Sequence, residues 1–502
     1  MMMVVFGVIL LGLLCNYNKG EFMFFKFKFL PILYLMLSCL FFFGCDYLIQ
    51  GEDIVIEKKQ TDTEEKEEIE EIKNTEVIQD ENDERNEELE EMEVEKKPSL
   101  DEREWSILVY MSADNNLESA AIADLIEMEK SKLNTKNVSV LVLLDRNPSY
   151  DSSNGNWKNT KLYRLKTNNV SDTNEILSEE IECLELGLNS SSQNELDMSA
   201  YMSLSRSIKF MYENYPANQY GVILWGHGEG WRGFCYDETS EKRMTLTQLN
   251  YGLKNGLNGK KLDFIGFDSC FGAELEVFYQ IRNYADVAFG VEGLLGINGM
   301  DYELLFNSFT SKKQKSLDAF IDSVVMQFQC SYEKYSKAAI SVVDLNKIEN
   351  YFLSFDSFSE YVASKINTNE IRDEIQNCIL TKVNQFFYEE KDSDLHIDID
   401  SFVNELSACS VKSEELEILK AEYFNSRNEA IIQYWDSDEQ DGSLGVYFST
   451  LTVGNYLQAR HEDRYIKGAV DNQIDFVCDS KGYVPTVGKN QSLLDKLFYF
   501  NW

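Results

Sequence analysis

The residues best suited to chemistry are a histidine and a cysteine that each follow a short apolar run. His227 stands in a Gly-His-Gly turn after residues 220–225, and Cys270 closely follows residues 262–267. The chain has only three histidines. Functional loops of open α/β sheets lie at the carboxyl ends of the strands, so two strands can bring these side chains together. The pattern predicts a cysteine nucleophile with a histidine partner.

The elements that would position these side chains alternate between strands and helices. Further apolar runs of strand length occur at residues 105–112, 138–144 and 287–291, and helical patterns lie between the runs. Strands that are apolar on both faces and separated by helices indicate an α/β fold with a mostly parallel sheet, covered on both sides. No Gly-x-Gly-x-x-Gly opens a helix after the first strand, which argues against a dinucleotide site.

The first 45 residues have the features of a bacterial secretory signal. A basic start precedes a long apolar stretch that ends at Gly44 and Cys45, and Met23 is the better translation start. This layout resembles a lipoprotein signal, which makes Cys45 the expected lipidation site and mature N-terminus. The alternative is an uncleaved transmembrane anchor. Residues 46–101 are rich in Glu and poor in aromatic residues, which predicts a flexible acidic tether.

The charge and the remaining histidines narrow the class of protein. The chain of 502 residues has a net charge of −39, which argues against nucleic acid as a partner and suits basic substrates. His396 and His461 lack the spacing of a zinc site and are interpreted as structural. Residues 102–310 are predicted to form the catalytic domain. Amphipathic patterns predict a mostly helical C-terminal domain over residues 311–502.

Several short motifs follow one another in a fixed order between Trp105 and Phe448. They lie at residues 110–118, 224–231, 268–273, 290–293, 299–302 and 445–449. In sequence and order they resemble the clostripain-like cysteine peptidases. The resemblance implies a caspase-like fold and a cysteine endopeptidase activity on protein or peptide substrates.

The resemblance also implies a role for each central residue. Cys270 would attack the scissile carbonyl and His227 would act as general acid. The backbone amides of Gly228 and Cys270 would stabilise the oxyanion. Asp268 would lie at the base of the S1 pocket, which holds the P1 residue before the scissile bond, and would select Arg or Lys there.

Further expectations concern activation, the rest of the cleft and metal ions. Members of the family are often activated by self-cleavage after a basic residue, and Lys242 and Arg243 lie in a polar, loop-like segment; a plain surface loop is the alternative. Glu292, Asp301 and Asp114 are expected to line the substrate-binding cleft. Calcium dependence is known in the family, but no Asp-x-Asp-x-Asp-Gly loop appears, so calcium stays an open expectation without predicted ligands.

The sequence therefore predicts a cysteine endopeptidase of the bacterial cell envelope, lipid-anchored and extracytoplasmic, that cuts after Arg or Lys. One alternative is an inactive surface lipoprotein that uses the same fold as a binding module. Another is a peptidase with a different preference, which would follow if Asp268 points away from the pocket. Placement of His227 and Cys270 in one open cleft would favour the enzyme.

Overall fold

The computed structural model of the chain describes most residues from Arg103 onward. The described ranges are 103–147, 149–168, 174–189, 194–310, 316–335, 337–387, 394–409, 411–437, 444–449, 474–483 and 492–498. The predicted signal with Cys45, the acidic tether and His461 lie outside these ranges. Among the residues within them, no helix is both long and apolar enough to cross a membrane.

The strands of the described ranges lie close to the predicted positions where a prediction was made. They are β1 (Trp105–Ala113), β2 (Val138–Arg146), β3 (Thr160–Arg164), β4 (Glu179–Ile181), β5 (Gln219–Trp225), β6 (Phe234–Asp237), β7 (Lys242–Met244), β8 (Leu262–Asp268), β9 (Ala285–Val291), β10 (Ala339–Asp344), β11 (Gln385–Phe387), β12 (Asp394–Asp398), β13 (Ile431–Asp436) and β14 (Gly445–Ser449).

The α-helices of the same ranges connect and cover these strands. They are α1 (Glu118–Lys130), α2 (Tyr201–Asn214), α3 (Leu246–Leu257), α4 (Leu275–Ile281), α5 (Tyr302–Asn307), α6 (Leu317–Tyr332), α7 (Ile348–Lys365), α8 (Asn369–Lys382), α9 (Ile399–Ala408), α10 (Glu414–Ala430), α11 (Asp475–Asp479) and α12 (Leu493–Phe498).

A nine-stranded sheet of order β13-β10-β9-β8-β5-β1-β2-β3-β4 forms the centre of the described chain. The five strands from β9 to β2 are parallel, and the outer strands on both sides pair antiparallel. The predicted mostly parallel sheet is therefore confirmed. A parallel sheet needs crossover connections, and the helical segments between the strands supply them.

Both faces of this sheet are buried, as the continuous apolar strand sequences predict. In β1, Leu108 and Tyr110 belong to the core on one face, where α2, α3, α4 and α7 pack. Ile107, Val109 and Met111 alternate with them and belong to the core on the other face, where α1, α5 and α6 pack. Successive side chains of a strand point to opposite faces, so one apolar run serves two cores.

The chain beyond residue 310 is mostly helical, as predicted, but it also contributes to the central sheet. β10 and β13 extend that sheet beyond β9, so residues on both sides of the predicted border share one sheet. β11, β12 and β14 form a separate antiparallel sheet. It reaches the site region through a bridge between Glu274 and Gly445. The described residues belong to one compact unit, Met92–Trp502.

Candidate active site

The two motif turns follow neighbouring parallel strands. β5 pairs with β8, and Trp225 lies opposite Asp268 at the carboxyl ends of the two strands. The backbone N–H of Gly226 donates to the carbonyl oxygen of Asp268 at 3.2 Å. The turns that hold His227 and Cys270 therefore begin at the same level of the sheet.

Glycine is required on both sides of His227. Gly226 has a φ of 134°, and a Cβ there would lie 2.8 Å from the carbonyl oxygen of Ser112. A Cβ at Gly228 would lie 2.2 Å from the carbonyl oxygen of Cys270. The backbones of the two turns are thus in direct contact, and any larger residue would push them apart.

His227 and Cys270 line one pocket of about 170 Å³ at this end of the sheet. The two residues are therefore in one open cleft, the placement that favours an enzyme over a binding module. The lining residues are Leu117, Trp225, Gly226, His227, Asp268, Ser269, Cys270, Leu295, Gly296, Ile297 and Gly299.

The His227 ring is held by an asparagine that the sequence argument missed. Its Nε2 lies 2.6 Å from Oδ1 of Asn116, which follows β1 in the middle of the sheet. Burial lowers the pKa of His227, and nearby Glu229 opposes this while Arg243 adds to it. The ring is therefore mainly neutral at neutral pH and can take up a proton during a reaction.

The Cys270 thiol is partly shielded from solvent. Burial raises its pKa, the backbone N–H of Leu295 opposes this, and the charge of Asp268 adds to it. That N–H donates to the Cys270 sulfur at 3.3 Å. The resting side chain is therefore a thiol, and ionisation needs a base such as the neutral imidazole of His227.

Asp268 is buried at the base of the pocket beside a second carboxylate, Asp124. The indole N–H of Trp225 donates to Oδ2 of Asp124 at 2.7 Å. A Cβ at Gly299, which lines the pocket, would lie 3.1 Å from both carboxylate oxygens of Asp268 and 3.4 Å from Oδ2 of Asp124. Because Gly299 has no side chain, the pocket can reach both acids.

Both acids are short of compensating charge. Burial raises the pKa of Asp268 to about 7, with Glu127 adding to the effect. Burial and the charge of Asp268 raise the pKa of Asp124 well above its usual range. The Tyr302 hydroxyl and the Met300 N–H donate to the Asp268 carboxylate, and both donors are neutral. A cation that entered the pocket would favour ionisation of the pair.

Three predicted cleft residues do not line this pocket. Glu292 follows β9, which lies on the side of β8 opposite to β5. It is buried and lines a separate pocket with Asn384 and Phe386. The Asp301 side chain accepts from the N–H of Leu304 at 2.8 Å and caps α5. Asp114 is also buried outside the pocket. These positions correct the expectation that all three acids line the cleft.

The predicted loop that contains Lys242 and Arg243 is instead a hairpin. β6 pairs antiparallel with β7, which contains both residues. Lys242 is exposed, whereas the Arg243 guanidinium pairs with the Glu229 carboxylate, two residues beyond His227. The segment therefore lies next to the histidine turn rather than far from the site.

His396 lies behind the cysteine turn. The sequence predicted a structural role for this histidine. Phe271 has a φ of 54°, unusual for a residue with a side chain, and its ring lies 4.3 Å from the His396 ring. Nδ1 of His396 contacts the Glu274 carboxylate. Oε2 of Glu274 also accepts from the N–H of Trp231 at 2.9 Å. Glu274 thus joins the cysteine turn to the histidine turn.

Sequence reasoning missed Asn116, Asp124 and Leu295 as site residues. Asn116 lies within the motif at residues 110–118. Nothing in that motif shows that the side chain contacts His227. Asp124 faces the site only because α1 packs on β1 and β2, and Leu295 approaches Cys270 through a loop. Neither contact has a local sequence signature.

The comparisons with known proteins agree with this architecture. The family model described as "Clostripain family" matches residues 109–465. Clostripain of Hathewaya histolytica is 28% identical over 196 residues, which cover 35% of this chain and 36% of that protein. The match thus spans about a third of the length of this curated relative.

Solved structures of similar fold come from two other bacteria. An inactive zymogen of a C11 protease from Parabacteroides distasonis has a TM-score of 0.50 at 18% identity, over 70% of this chain and 89% of that one. A secreted C11 cysteine protease from Bacteroides thetaiotaomicron, in complex with an irreversible peptide inhibitor, has a TM-score of 0.46 at 19% identity, over 69% and 90%. The first of these likenesses supports the fold.

Proposed function

The chain belongs to the clostripain family of cysteine peptidases, and from that premise we propose that it cuts peptide bonds after Arg or Lys through Cys270 and His227. The observation that carries this proposal is the pocket in which Cys270, His227 and the buried Asp268 meet. A nucleophile, a proton carrier and a buried acid for a basic side chain are the three parts that such a reaction needs.

The proposed reaction begins when the Cys270 sulfur attacks the carbonyl carbon of the scissile bond. The thiol proton passes to His227, which gives it to the leaving amine as the C–N bond breaks. A thioester remains, and a water molecule hydrolyses it with His227 as base. The amides of Gly228 and Cys270 are the proposed donors to the oxyanion, because the two turns are in contact.

The proposed preference for a basic P1 side chain rests on the charge of the pocket. Asp268 and Asp124 are both buried and lie next to Gly299. A buried carboxylate without a cation is costly, and an entering guanidinium or ammonium group would offset that cost. We extend the proposal to self-cleavage after Lys242 or Arg243, which lie beside the histidine turn and match this preference.

We also propose that the protein is held at the outer side of a bacterial membrane through a lipid on Cys45. The support is the sequence pattern of residues 23–45 and the acidic tether that follows. Labelling of growing cells with a fatty acid tests this part. Label that persists in Cys45→Ser would contradict it.

The activity is tested with the purified full chain and fluorogenic peptides that carry Arg, Lys, Ala or Asp at P1. Wild type should cleave the Arg and Lys peptides, and Cys270→Ala should abolish cleavage because the nucleophile is lost. Cys330→Ala is the matched control, since Cys330 is a free, exposed cysteine elsewhere in the fold. Turnover that persists in Cys270→Ala would overturn the proposed nucleophile. Binding of these peptides without turnover in wild type would favour the binding module.

A further inference from the structure

The loop that forms one wall of the pocket depends on contacts of its backbone. Residues 294–301, which we call the pocket loop, lie between β9 and α5. The side chains of Leu294 and Ile297 are exposed, so they add little packing that would hold the loop. Four residues of the loop nevertheless line the pocket, namely Leu295, Gly296, Ile297 and Gly299. The shape of the pocket therefore depends on what fixes this backbone.

Helix α6 provides one such contact through Tyr332. The Tyr332 hydroxyl donates to the carbonyl oxygen of Gly299 at 2.9 Å and lies 3.4 Å from that of Gly296. The backbone N–H of Gly299 donates to the same Gly296 oxygen at 2.9 Å. One phenol therefore binds both ends of the turn over residues 296–299. This turn is the part of the loop that lies against Asp268.

The Tyr332 side chain is itself held in place. It is almost fully buried, and its ring stacks on the ring of Phe328, one turn earlier in α6, with 4.5 Å between the centroids. Phe328 is fully buried in the core. Burial raises the pKa of Tyr332, and the negative charges of Asp268 and Asp124 add to this effect. The hydroxyl therefore stays protonated and remains a donor.

A second residue of α6 fixes the end of the pocket loop. Oε1 of the fully buried Gln327 accepts from the backbone N–H of Asp301 at 2.8 Å. Its Nε2 donates to the carbonyl oxygen of Val324 at 3.0 Å, so both ends of the amide are bound. The N–H of Met300, the preceding residue, donates to Oδ2 of Asp268 at 3.5 Å. Gln327 thus fixes the backbone next to a donor of the pocket acid.

We propose that Tyr332 and Gln327 are positioning residues of the peptidase, which hold the pocket loop in the shape that lets a basic P1 side chain reach Asp268. The inference rests on the proposed function and deepens it, because it concerns the same pocket. α6 lies after residue 310, in the region that the sequence assigned to a separate domain. That region would therefore take part in substrate recognition through the two contacts of α6.

The first test compares the full chain with Tyr332→Phe, which removes the hydroxyl and keeps the buried ring. The ratio of kcat/KM between Arg and Ala peptides should fall about 3- to 10-fold, the range expected for one hydrogen bond. The fall should come mainly from a higher KM for the Arg peptide, because the pocket rather than the nucleophile is changed. A smaller fraction of folded enzyme would lower both rates equally and cancels in the ratio.

Two further variants accompany this test. Tyr335→Phe is the matched control, because the Tyr335 ring is exposed and lies 5.3 Å from the Tyr332 ring; it should keep the ratio of wild type. Gln327→Met removes the acceptor for the Asp301 N–H at similar volume. It should lower the ratio in the same direction as Tyr332→Phe, by about 2- to 5-fold.

A second measurement needs no turnover. Benzamidine carries a planar cation of the kind that the pocket would take, and its binding should slow the alkylation of Cys270 by iodoacetamide. Mass spectrometry of the peptide that contains Cys270 follows the rate, and the exposed Cys330 is the internal reference that benzamidine should not affect. Tyr332→Phe should need about 3- to 10-fold more benzamidine for the same protection.

The two measurements separate this inference from the proposed function. Cleavage of Arg peptides with the same Arg-to-Ala ratio in Tyr332→Phe as in wild type would overturn the inference and leave the peptidase function intact. Wild type without turnover, but with benzamidine protection that Tyr332→Phe weakens, would support the inference and overturn the function. Equal cleavage of Arg and Ala peptides together with no protection in wild type would overturn the basic pocket and, with it, the inference.

Discussion

Two groups of buried acids lie at the same end of the sheet, and they differ in what can reach them. The pocket pair, Asp124 and Asp268, lies against Gly299 in the wall of the cleft. The second group, Asp114, Asp145 and Asp237, lies at the carboxyl ends of β1 and β2 and in β6, with backbone amides bound to two of its acids. Burial and neighbouring acids raise the pKa of Asp124 and of Asp145 well above the usual range.

The difference in access separates what the two groups can do. An acid pair that borders an open pocket can take up a new cation in each catalytic cycle, which suits the side chain of a substrate. The acids of the second group accept from neutral donors of the chain instead.

The largest effect should come from removal of the charge of Asp268. Asp268→Asn should lower kcat/KM for Arg and Lys peptides about 10²- to 10³-fold, because a buried charge pair with the substrate is lost. Asp263→Asn on the same strand is the matched control and should keep the activity. Steady-state kinetics with Arg and Ala peptides measure the change.

The comparison is sharpened by a variant of the second group. Asp145→Asn should keep the ratio of kcat/KM between Arg and Ala peptides. If the ratio changed, the two acid groups would form one electrostatic unit and the distinction between them would fail.

Asp124 should have a smaller effect that depends on the shape of the cation. Asp124→Asn should lower kcat/KM for Arg peptides about 10-fold and for Lys peptides less, because a planar guanidinium can contact two carboxylates while an ammonium is a compact point charge. Kinetics with matched Arg and Lys peptides test this. Equal losses for both would show that Asp124 acts only through the general charge of the pocket.

The sequence contained enough information for the sheet and for the centre of the site. Continuous apolar runs that end in small residues predicted β5 and β8, and the turns after them could be assigned because each holds one reactive side chain. Gly226 and Gly228 follow from the same motif. These features are local, so a single sequence can reveal them.

What the sequence did not reveal depends on contacts between distant segments. Asp124 reaches the pocket from a helix, and Asp145 meets Asp237 only after the hairpin packs against β1. The expectation that Glu292 and Asp301 line the cleft was wrong because sequence proximity to a motif does not determine the direction of a side chain. The hairpin at Lys242 was missed because its strands are short and β7 begins with two basic residues.

The pH dependence should distinguish the pocket pair from the catalytic residues. The pKa of Asp268 is raised to about 7, and the ionised form attracts a basic P1 side chain. Between pH 6 and pH 8 the ionised fraction rises about 10-fold, so kcat/KM for Arg peptides should rise by a similar factor. The pKa of Cys270 is raised, which places its titration above this window, and the pKa of His227 is lowered toward the acid edge of it. Asp268→Asn should lose the rise; its persistence there would assign it to another group.

A third buried acid, Glu274, provides the smallest effect and the sharpest check on the comparison. It is as buried as the other acids, but it contacts His396 and accepts from the N–H of Trp231. An acid that has such partners within the chain should need no external cation. Glu274→Gln should therefore lower the free energy of unfolding by about 1–3 kcal/mol, measured by denaturant titration. The Arg-to-Ala ratio of kcat/KM should stay unchanged. A loss of this ratio would mean that burial alone, rather than the lack of a partner, determines where this protein takes up a cation.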